Sequence, residues 1–206
     1  MKEILITELR DKNTSMAKFR QATHHIGNLL AIEAANLLEK ETFSVHTPLK
    51  HAPGFRMKNS QVLVPVLRAG LSLLPAFLNF FPDAKVGLLG LRRDESTAIP
   101  HLYYANLPQI SAEDDVLILE PMLATGNTIS MVMDVLIKDI GVKPNKIMLC
   151  SIVAAPEGLN KIKTYVPQAK IIALQLDESL NDKKFIVPGL GDFGDRYFGT
   201  VHETFS

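Results

Sequence analysis

Residues 116–130 read VLILEPMLATGNTIS, and their pattern decides the fold. Four apolar residues, Val116 to Leu119, run without a polar break into Glu120, as a strand buried on both faces does. A short loop follows, with a Thr125–Gly126 step. Apolar residues then fall at helical spacing: Ile129, Val132, Met133, Leu136, Ile137 and Ile140. A strand, a tight loop and an amphipathic helix bring backbone N–H groups, the positive end of a helix dipole and two hydroxyls to one point. That point suits a phosphate. Glu120 adds an acid that can face ribose hydroxyls or a Mg²⁺ ion. The loop contains neither GxxxxGK[ST] nor GxGxxG, which excludes the two commonest phosphate loops.

Outward from this unit the same alternation continues. The pattern predicts strands over 62–67, 85–91, 116–119, 146–153 and 170–176, and helices over 70–80, 129–140 and 158–165. Apolar strands alternating with helices predict a parallel sheet covered on both faces. Thr14 or Ser15 can cap a helix running to about residue 39. Its apolar residues (Phe19, Ala22, Ile26, Leu29, Leu30, Ile32 and Leu37) are too many for one thin stripe. Either part of that helix faces a partner subunit or all of it packs on its own domain. Residues 42–60, with Pro48, Pro53 and Gly54, read as short extended pieces or an arm. The polar stretch 92–114 is long for a structureless loop, and such loops are usually functional or mobile. Ligands of an open parallel sheet sit beyond the carboxyl ends of its strands. Arg68, Arg93, residues 120–128 and Pro156–Glu157 each follow such an end, and a Gly-rich segment lies downstream of the last strand.

The chain has 206 residues, 47% of them apolar and 21% charged, a globular balance with enough length for one ordinary domain. Lys plus Arg equals Asp plus Glu, 22 against 22, so nothing in the net charge points to nucleic acid. The single Cys150 sits in the apolar run IMLCSIV and reads as a small buried hydrophobe. It cannot form an internal disulfide, which fits a reducing compartment. No apolar run reaches membrane-spanning length and no targeting signal is visible, so the expected location is the cytoplasm. The six His residues show no HxH or HExxH spacing, which argues against a His metal site. Asp94–Glu95 and Asp114–Asp115 read as solvated loop charges, and the Met residues at 122, 131, 133 and 148 as core packing.

The loop at 120–128 resembles the ribose-5-phosphate loop of the type I phosphoribosyltransferases, and its PMLATG core is similar to that of the uracil phosphoribosyltransferases. Two further stretches resemble the same family in the same order: VPVLRAG at 64–70 and FIVPGLGDFGDRYFGT at 185–200. The likeness takes in the N-terminal helix, Arg93 with its acidic followers and AAPEG at 154–158, and so covers nearly the whole chain. The segment 188–194 is the most specific, because related enzymes acting on purines or orotate lack it.

The resemblance implies an α/β fold, a mostly parallel sheet flanked by helices, in one domain over 1–206. It implies a flexible hairpin or flap in 92–114 and a base-binding segment near the C-terminus. The implied reaction transfers the 5-phosphoribosyl group of phosphoribosyl pyrophosphate (PRPP) to uracil, giving UMP and pyrophosphate. PRPP would be held by Arg68, Arg93, Glu120, Pro121, Met122, Leu123, Ala124, Thr125, Gly126, Asn127, Thr128 and Asp192. Within that set, Thr125–Thr128 suit the 5′-phosphate and Glu120 the ribose hydroxyls. Arg68 and Arg93 suit the pyrophosphate, because guanidinium makes forked, charge-assisted hydrogen bonds to phosphate oxygens. Ile186, Gly191, Asp192 and Phe193 would line the uracil site. Arg68, Arg93 and Asp192 are the expected catalytic set. Mg²⁺ would be held mainly through PRPP and water, with no direct protein ligand. The expected partners are these substrates and further copies of the chain, a homodimer or higher homo-oligomer, with no nucleic acid and no membrane.

Ala124 stands where many related PRPP enzymes place an acid. It removes the obvious general base, which leaves positioning and charge neutralisation of the leaving group. Three positions depart from the usual family spelling: Glu120 for Asp, Asn127–Thr128 for Gly-Ser, and Phe185 for Tyr. Of these, Asn127 places a Cβ where Gly would allow a positive φ. Two rivals remain, a nucleotide-binding regulator on the same fold and an enzyme for another base. The zero net charge weighs against the first and the GLGDFGD segment against the second, and a catalytically weak paralogue would be expected to lose Arg68, Glu120 or Asp192, all of which are present.

Overall fold

The computed structural model describes residues 1–93 and 100–200. Its centre is a sheet built on strands β3 (Gln61–Leu67), β5 (Leu88–Arg93), β6 (Pro100–Asn106), β7 (Asp115–Leu119), β9 (Ile147–Ala154) and β10 (Lys170–Leu176). Their order is β10-β9-β7-β3-β5-β6, parallel throughout except that β6 runs antiparallel to β5. Two short strands extend its edges. β4 (Lys85–Val86) pairs with β3 and β8 (Met122–Leu123) with β9. The expected mostly parallel sheet is therefore present, flanked by helices.

Alternating side chains supply both faces, because successive residues of a strand point opposite ways. Val62, Val64 and Val66 of β3 join Val116 and Ile118 of β7 in one core, under α4 (Asn127–Asp134) and α5 (Pro156–Tyr165). Leu63, Leu117, Leu119, Met148, Cys150 and Ile152 point the other way. They meet α1 (Lys2–Arg10), α2 (Met16–Leu37) and α3 (Leu74–Phe80). Cys150 is fully buried, as its sequence setting predicts, and burial pushes its thiol pKa up.

Helix α2 starts where the cap residue predicts: the Ser15 side chain accepts the Lys18 N–H. Most of its apolar residues pack inside the chain, but Ile32 and Leu37 are exposed. The arm expected over 42–60 is an antiparallel hairpin, β1 (Lys40–His46) and β2 (His51–Met57), with exposed Phe43, Leu49 and Phe55. The remaining elements are a two-stranded ribbon, β11 (Ser179–Leu180) with β12 (Ile186–Val187), and the short helix α6 (Phe193–Phe198).

Several expectations are corrected. The strand predicted over 85–91 is broken at Gly87, whose N–H turns to Leu63 O at 2.9 Å. The helix predicted over 70–80 begins as a 3₁₀ turn, Ala69–Ser72, with α geometry starting at Leu74 and Pro75 in the first turn. The helix predicted over 129–140 widens into a π turn over Val135–Asp139, with Ile140 N–H reaching Val135 O. That change of pitch leaves Ile140 exposed and not on the buried face. Within the polar stretch 92–114 the expected hairpin is present, with β6 over Pro100–Asn106 paired to β5. Residues 94–99 of that stretch, Asp94–Glu95 among them, lie outside the described residues.

Asp114 and Asp115 are not solvated loop charges; both are buried. Asp114 accepts from Lys85 Nζ (2.8 Å), Ser111 N–H (3.0 Å) and Ser111 Oγ (2.8 Å). Asp115 accepts from Asn59 at 3.0 Å and lies 3.7 Å from Lys146 Nζ. Together they pin the start of β7, the strand that carries the phosphate-loop sequence. Burial alone would raise the Asp114 pKa, but the Lys85 and Ser111 hydrogen bonds outweigh it and hold the carboxyl below its usual range. A depressed folded-state pKa stabilises above the ordinary carboxylate range, and that contribution disappears as pH falls through the folded value. Asp114→Asn should therefore lower the urea-unfolding free energy at neutral pH by about 1 kcal/mol, discounted for the half-exposed Lys85. The gap from wild type should narrow as pH falls below about 4 and close once pH has passed through the lowered folded value.

Candidate active site

At the carboxyl end of β7 the chain turns through Glu120 and Pro121 into β8, then through 124–126 into α4. Gly126 caps the helix with φ +80°, and its carbonyl accepts the Ser130 N–H (2.8 Å) and hydroxyl (3.0 Å). Thr125 Oγ1 accepts the Asn127 N–H at 3.3 Å, and Glu120 Oε1 accepts the Met122 N–H at 3.4 Å. The loop is thus held partly by its own polar side chains. Left-handed backbone is needed at Gly126 and not at Asn127, so the Cβ of Asn127 meets no such restriction. The Asn127 side-chain oxygen instead accepts from Lys161 Nζ on α5.

Two glycines let neighbouring backbones touch this loop. A Cβ on Gly70 would lie 2.2 Å from Leu119 O, and one on Gly158 would lie 2.3 Å from Ala124 O. Gly158 belongs to the AAPEG motif and Gly70 closes VPVLRAG.

A cavity of about 350 Å³ opens beyond these strand ends. It is lined by Arg68, Glu120, Met122, Leu123, Ala124, Gly126 and Thr128 from the first strand ends, and by Ile186, Gly191, Asp192 and Phe193 from the C-terminal segment. All of these are expected from the sequence. Thr125 and Asn127 are in the same loop but do not line the cavity. Pro121 is buried behind it, its carbonyl accepting from Ile152 and Val153. Arg93 ends β5, and its side chain lies outside what is described.

Arg68 Nη2 stands 3.8 Å from Asp195 Oδ1, with its guanidinium 5.7 Å from the Phe198 ring centre. Asp192 caps α6, accepting the Asp195 N–H at 2.8 Å. Phe193 is buried and meets Phe19 of α2 edge-on at 5.2 Å. Phe185 and Gly194 of the expected base-binding segment also line the cavity, as do residues not anticipated: Ala69, Ile129 and the pair Lys183–Lys184. The two lysines directly precede the base-binding segment, and their paired like charges beside it were the available signal. Among the described residues no group of three His, Cys, Asp or Glu could hold a metal ion.

The family model for uracil phosphoribosyltransferase matches residues 2–200. The chain belongs to the uracil phosphoribosyltransferase family. A uracil phosphoribosyltransferase of Mycoplasma genitalium is 43% identical over 195 residues, covering 95% of this chain and 93% of that one. One from Finegoldia magna is 42% identical over 196 residues, covering 95% and 92%. A solved Aquifex aeolicus protein superposes with a TM-score of 0.86 at 36% identity, covering 98% of this chain and 96% of that one. An adenine phosphoribosyltransferase of Trypanosoma brucei, with TM-score 0.55 and 12% identity over 93% and 74% of the two chains, shares the fold alone. The fold is that of the type I phosphoribosyltransferases.

In this family member the Gly158 contact should be a sensitive one. The atom its Cβ would strike is backbone and cannot rotate away. Gly158→Ala should destabilise the chain by about 1–3 kcal/mol in urea unfolding. Asn160→Ala, exposed on the same helix, should leave the midpoint within error.

Proposed function

We propose that this enzyme transfers the 5-phosphoribosyl group of PRPP to uracil, releasing pyrophosphate and forming UMP, and that residues 1–206 work as one domain. The observation that carries this reading is that one cavity gathers the 120–128 loop, Arg68 and the 186–193 segment. These pieces are distant in sequence and each matches the family separately.

The α4 N-terminus, with the amides of 125–128 and the Thr128 hydroxyl, receives the 5′-phosphate. Glu120 accepts from the ribose hydroxyls. Arg68, with Arg93, takes the pyrophosphate, and Arg68 leaves its long contact with Asp195 to do so. As the bond at C1 breaks, positive charge develops on the ribose and negative charge on the leaving group. Ala124 leaves the loop without the obvious base, so the chain acts by holding the reactants and neutralising charge.

Carboxylates line the cavity only at Glu120 and Asp192, and no cage of three exists among the described residues, which fits a Mg²⁺ carried by PRPP. Asp192 would hold it through water. When bound it neutralises part of the pyrophosphate charge. Uracil presents O2, N3–H and O4 in a row, and backbone groups around Ile186 and Gly191 read them. Cytosine would put a donor where O4 accepts.

The setting follows from the same reading. Buried, reduced Cys150 suits the cytoplasm. Among the described residues no helix is long and apolar enough to cross a membrane. The exposed Phe43, Leu49 and Phe55 of the arm, with Ile32 and Leu37 of α2, supply apolar surface for a homodimer or larger homo-oligomer.

Pyrophosphate release from PRPP and Mg²⁺, assayed in parallel with uracil, cytosine, hypoxanthine and orotate, with and without GTP, tests the reaction. Release is expected with uracil alone, and Arg68→Ala should cut it roughly a hundredfold. Release with another base would refute the base assignment. No release with any base, with or without GTP, would refute the enzyme reading. Light scattering should report at least twice the monomer mass, falling to the monomer in Leu49→Asp/Phe55→Glu.

A further inference from the structure

Asp177 is a charged residue that no motif singled out, and its side chain is 1% exposed. It stands immediately after β10, its N–H bonded to Ala154 O at 2.9 Å, so the end of the sheet fixes its backbone. Its two carboxylate oxygens have different partners. Oδ1 accepts from the guanidinium of Arg10, the last residue of α1. Oδ2 accepts the buried Gly189 N–H at 2.9 Å.

Gly189 is the pivot of the 186–193 segment. Its φ is +58°, and a Cβ there would lie 2.1 Å from Ile186 O, so the turn from Ile186 to Gly189 is as tight as a backbone allows. Ile186 precedes the pivot and Gly191 follows it, and both line the cavity. The neighbouring Glu178 N–H is fixed too, donating to Val187 O at 3.0 Å. On the far side, Arg196 donates to Leu190 O and Asp11 O, each at 2.7 Å, and to Leu9 O. The segment thus rests on α1 and the end of β10, and Asp177 is the side chain that joins those two supports to its pivot.

We propose that Asp177 is a positioning residue for base recognition: by accepting from Arg10 with one oxygen and from Gly189 N–H with the other, it sets the turn that presents Ile186 and Gly191 to uracil. This rests on the uracil-transferring reading above. A carboxylate is required because both of its oxygens accept. An amide of the same shape has one acceptor, and the charged Arg10 takes it, since hydrogen bonds to a charged partner are the stronger ones. The amide NH₂ then faces the Gly189 N–H, donor against donor, and the turn must shift. Removing the Arg10 charge frees the amide oxygen to rotate back to Gly189.

The test is steady-state kinetics and thermal melting of the full chain as wild type, Asp177→Asn, Arg10→Met and the double variant. Asp177→Asn should raise KM for uracil roughly tenfold, the equivalent of one buried hydrogen bond, while kcat and KM for PRPP stay within about twofold. Arg10→Met leaves the carboxylate on Gly189, so KM for uracil should hold while Tm falls. The double variant should recover a uracil KM within about threefold of wild type although its Tm stays low, a split that a merely structural role would not produce. An unchanged uracil KM in folded Asp177→Asn, equal rises for uracil and PRPP, or no recovery in the double variant would each overturn the proposal. If Asp177→Asn does not fold, Arg10→Met/Asp177→Asn is compared with Arg10→Met/Asp177→Leu. Leu offers no acceptor, and equal uracil KM in the two would overturn it. Wild type without uracil-dependent turnover would sink the functional reading instead. Amide hydrogen exchange at Gly189 then decides the positioning claim, with protection expected in wild type and Arg10→Met, and its loss in Asp177→Asn.

Discussion

A Cβ on Gly70 would press into Leu119 O, and one on Gly158 into Ala124 O. These two close approaches clamp the loop between β7 and α4 from both sides. Thr125 and Glu120 satisfy two of the loop's own amides, but a loop that offers others to an anion cannot bond them all within itself, so the rest of its shape must come from elsewhere. Here it comes from flanking backbone, packed as tightly as glycine permits. Gly126 then turns the chain into α4 in left-handed geometry. The helix dipole therefore points where the strand ends, and the cavity lies at that meeting point.

The C-terminal segment is built on the opposite principle. Its turns are held by charged side chains that tie it to distant elements: Arg10 through Asp177, Arg20 to Tyr197 O at 2.8 Å, and its own Arg196 outward to Leu9 O and Asp11 O and back to Leu190 O. Burial lowers the Arg196 pKa below its ordinary value, yet a guanidinium remains charged at any working pH. Phe193 under Phe19 adds an apolar contact to α2. One wall of the cavity is thus fixed by backbone packing and the other by buried polar contacts. Substitutions in the two walls should consequently fail in different ways, by steric clash in one and by unsatisfied polar groups in the other.

The central strands and the loop were legible because each carries a local signal. A strand buried on both faces is a nearly continuous apolar run, and β3, β7 and β9 read so apart from Gln61, Asp115 and Ser151. The phosphate loop is spelled by small residues and hydroxyls at fixed spacing. Where the deciding contact is distant, the sequence was silent. Asp114 and Asp115 look like any acidic turn, and only Lys85 and Lys146, brought in by folding, make them buried anchors. Asp177 is 167 residues from Arg10, and no periodicity links them. Helix α1 was missed, although Leu5, Ile6 and Leu9 lie on one face, because charges at both ends obscure a short stripe. The strand β6 has little burial to reveal it; its exposed residues pair with β5 at the sheet edge.

The departures from the family spelling fall where the fold can absorb them. Glu120 keeps its acid and turns one oxygen to the Met122 N–H, so the longer side chain folds back on its own loop. Asn127 follows the left-handed residue and does not occupy it, and its amide oxygen gains Lys161 as a partner, tying α4 to α5 across the loop. Phe185 sits at the cavity rim, largely exposed, where a lost phenol hydroxyl leaves no buried group unpaired. Its N–H is held by Asn181 Oδ1 at 3.0 Å, which keeps the ribbon tip in place independently of the ring. Each change alters a side chain while leaving the backbone course around the cavity intact. That is the distinction that matters if, as proposed, main-chain groups do most of the recognition.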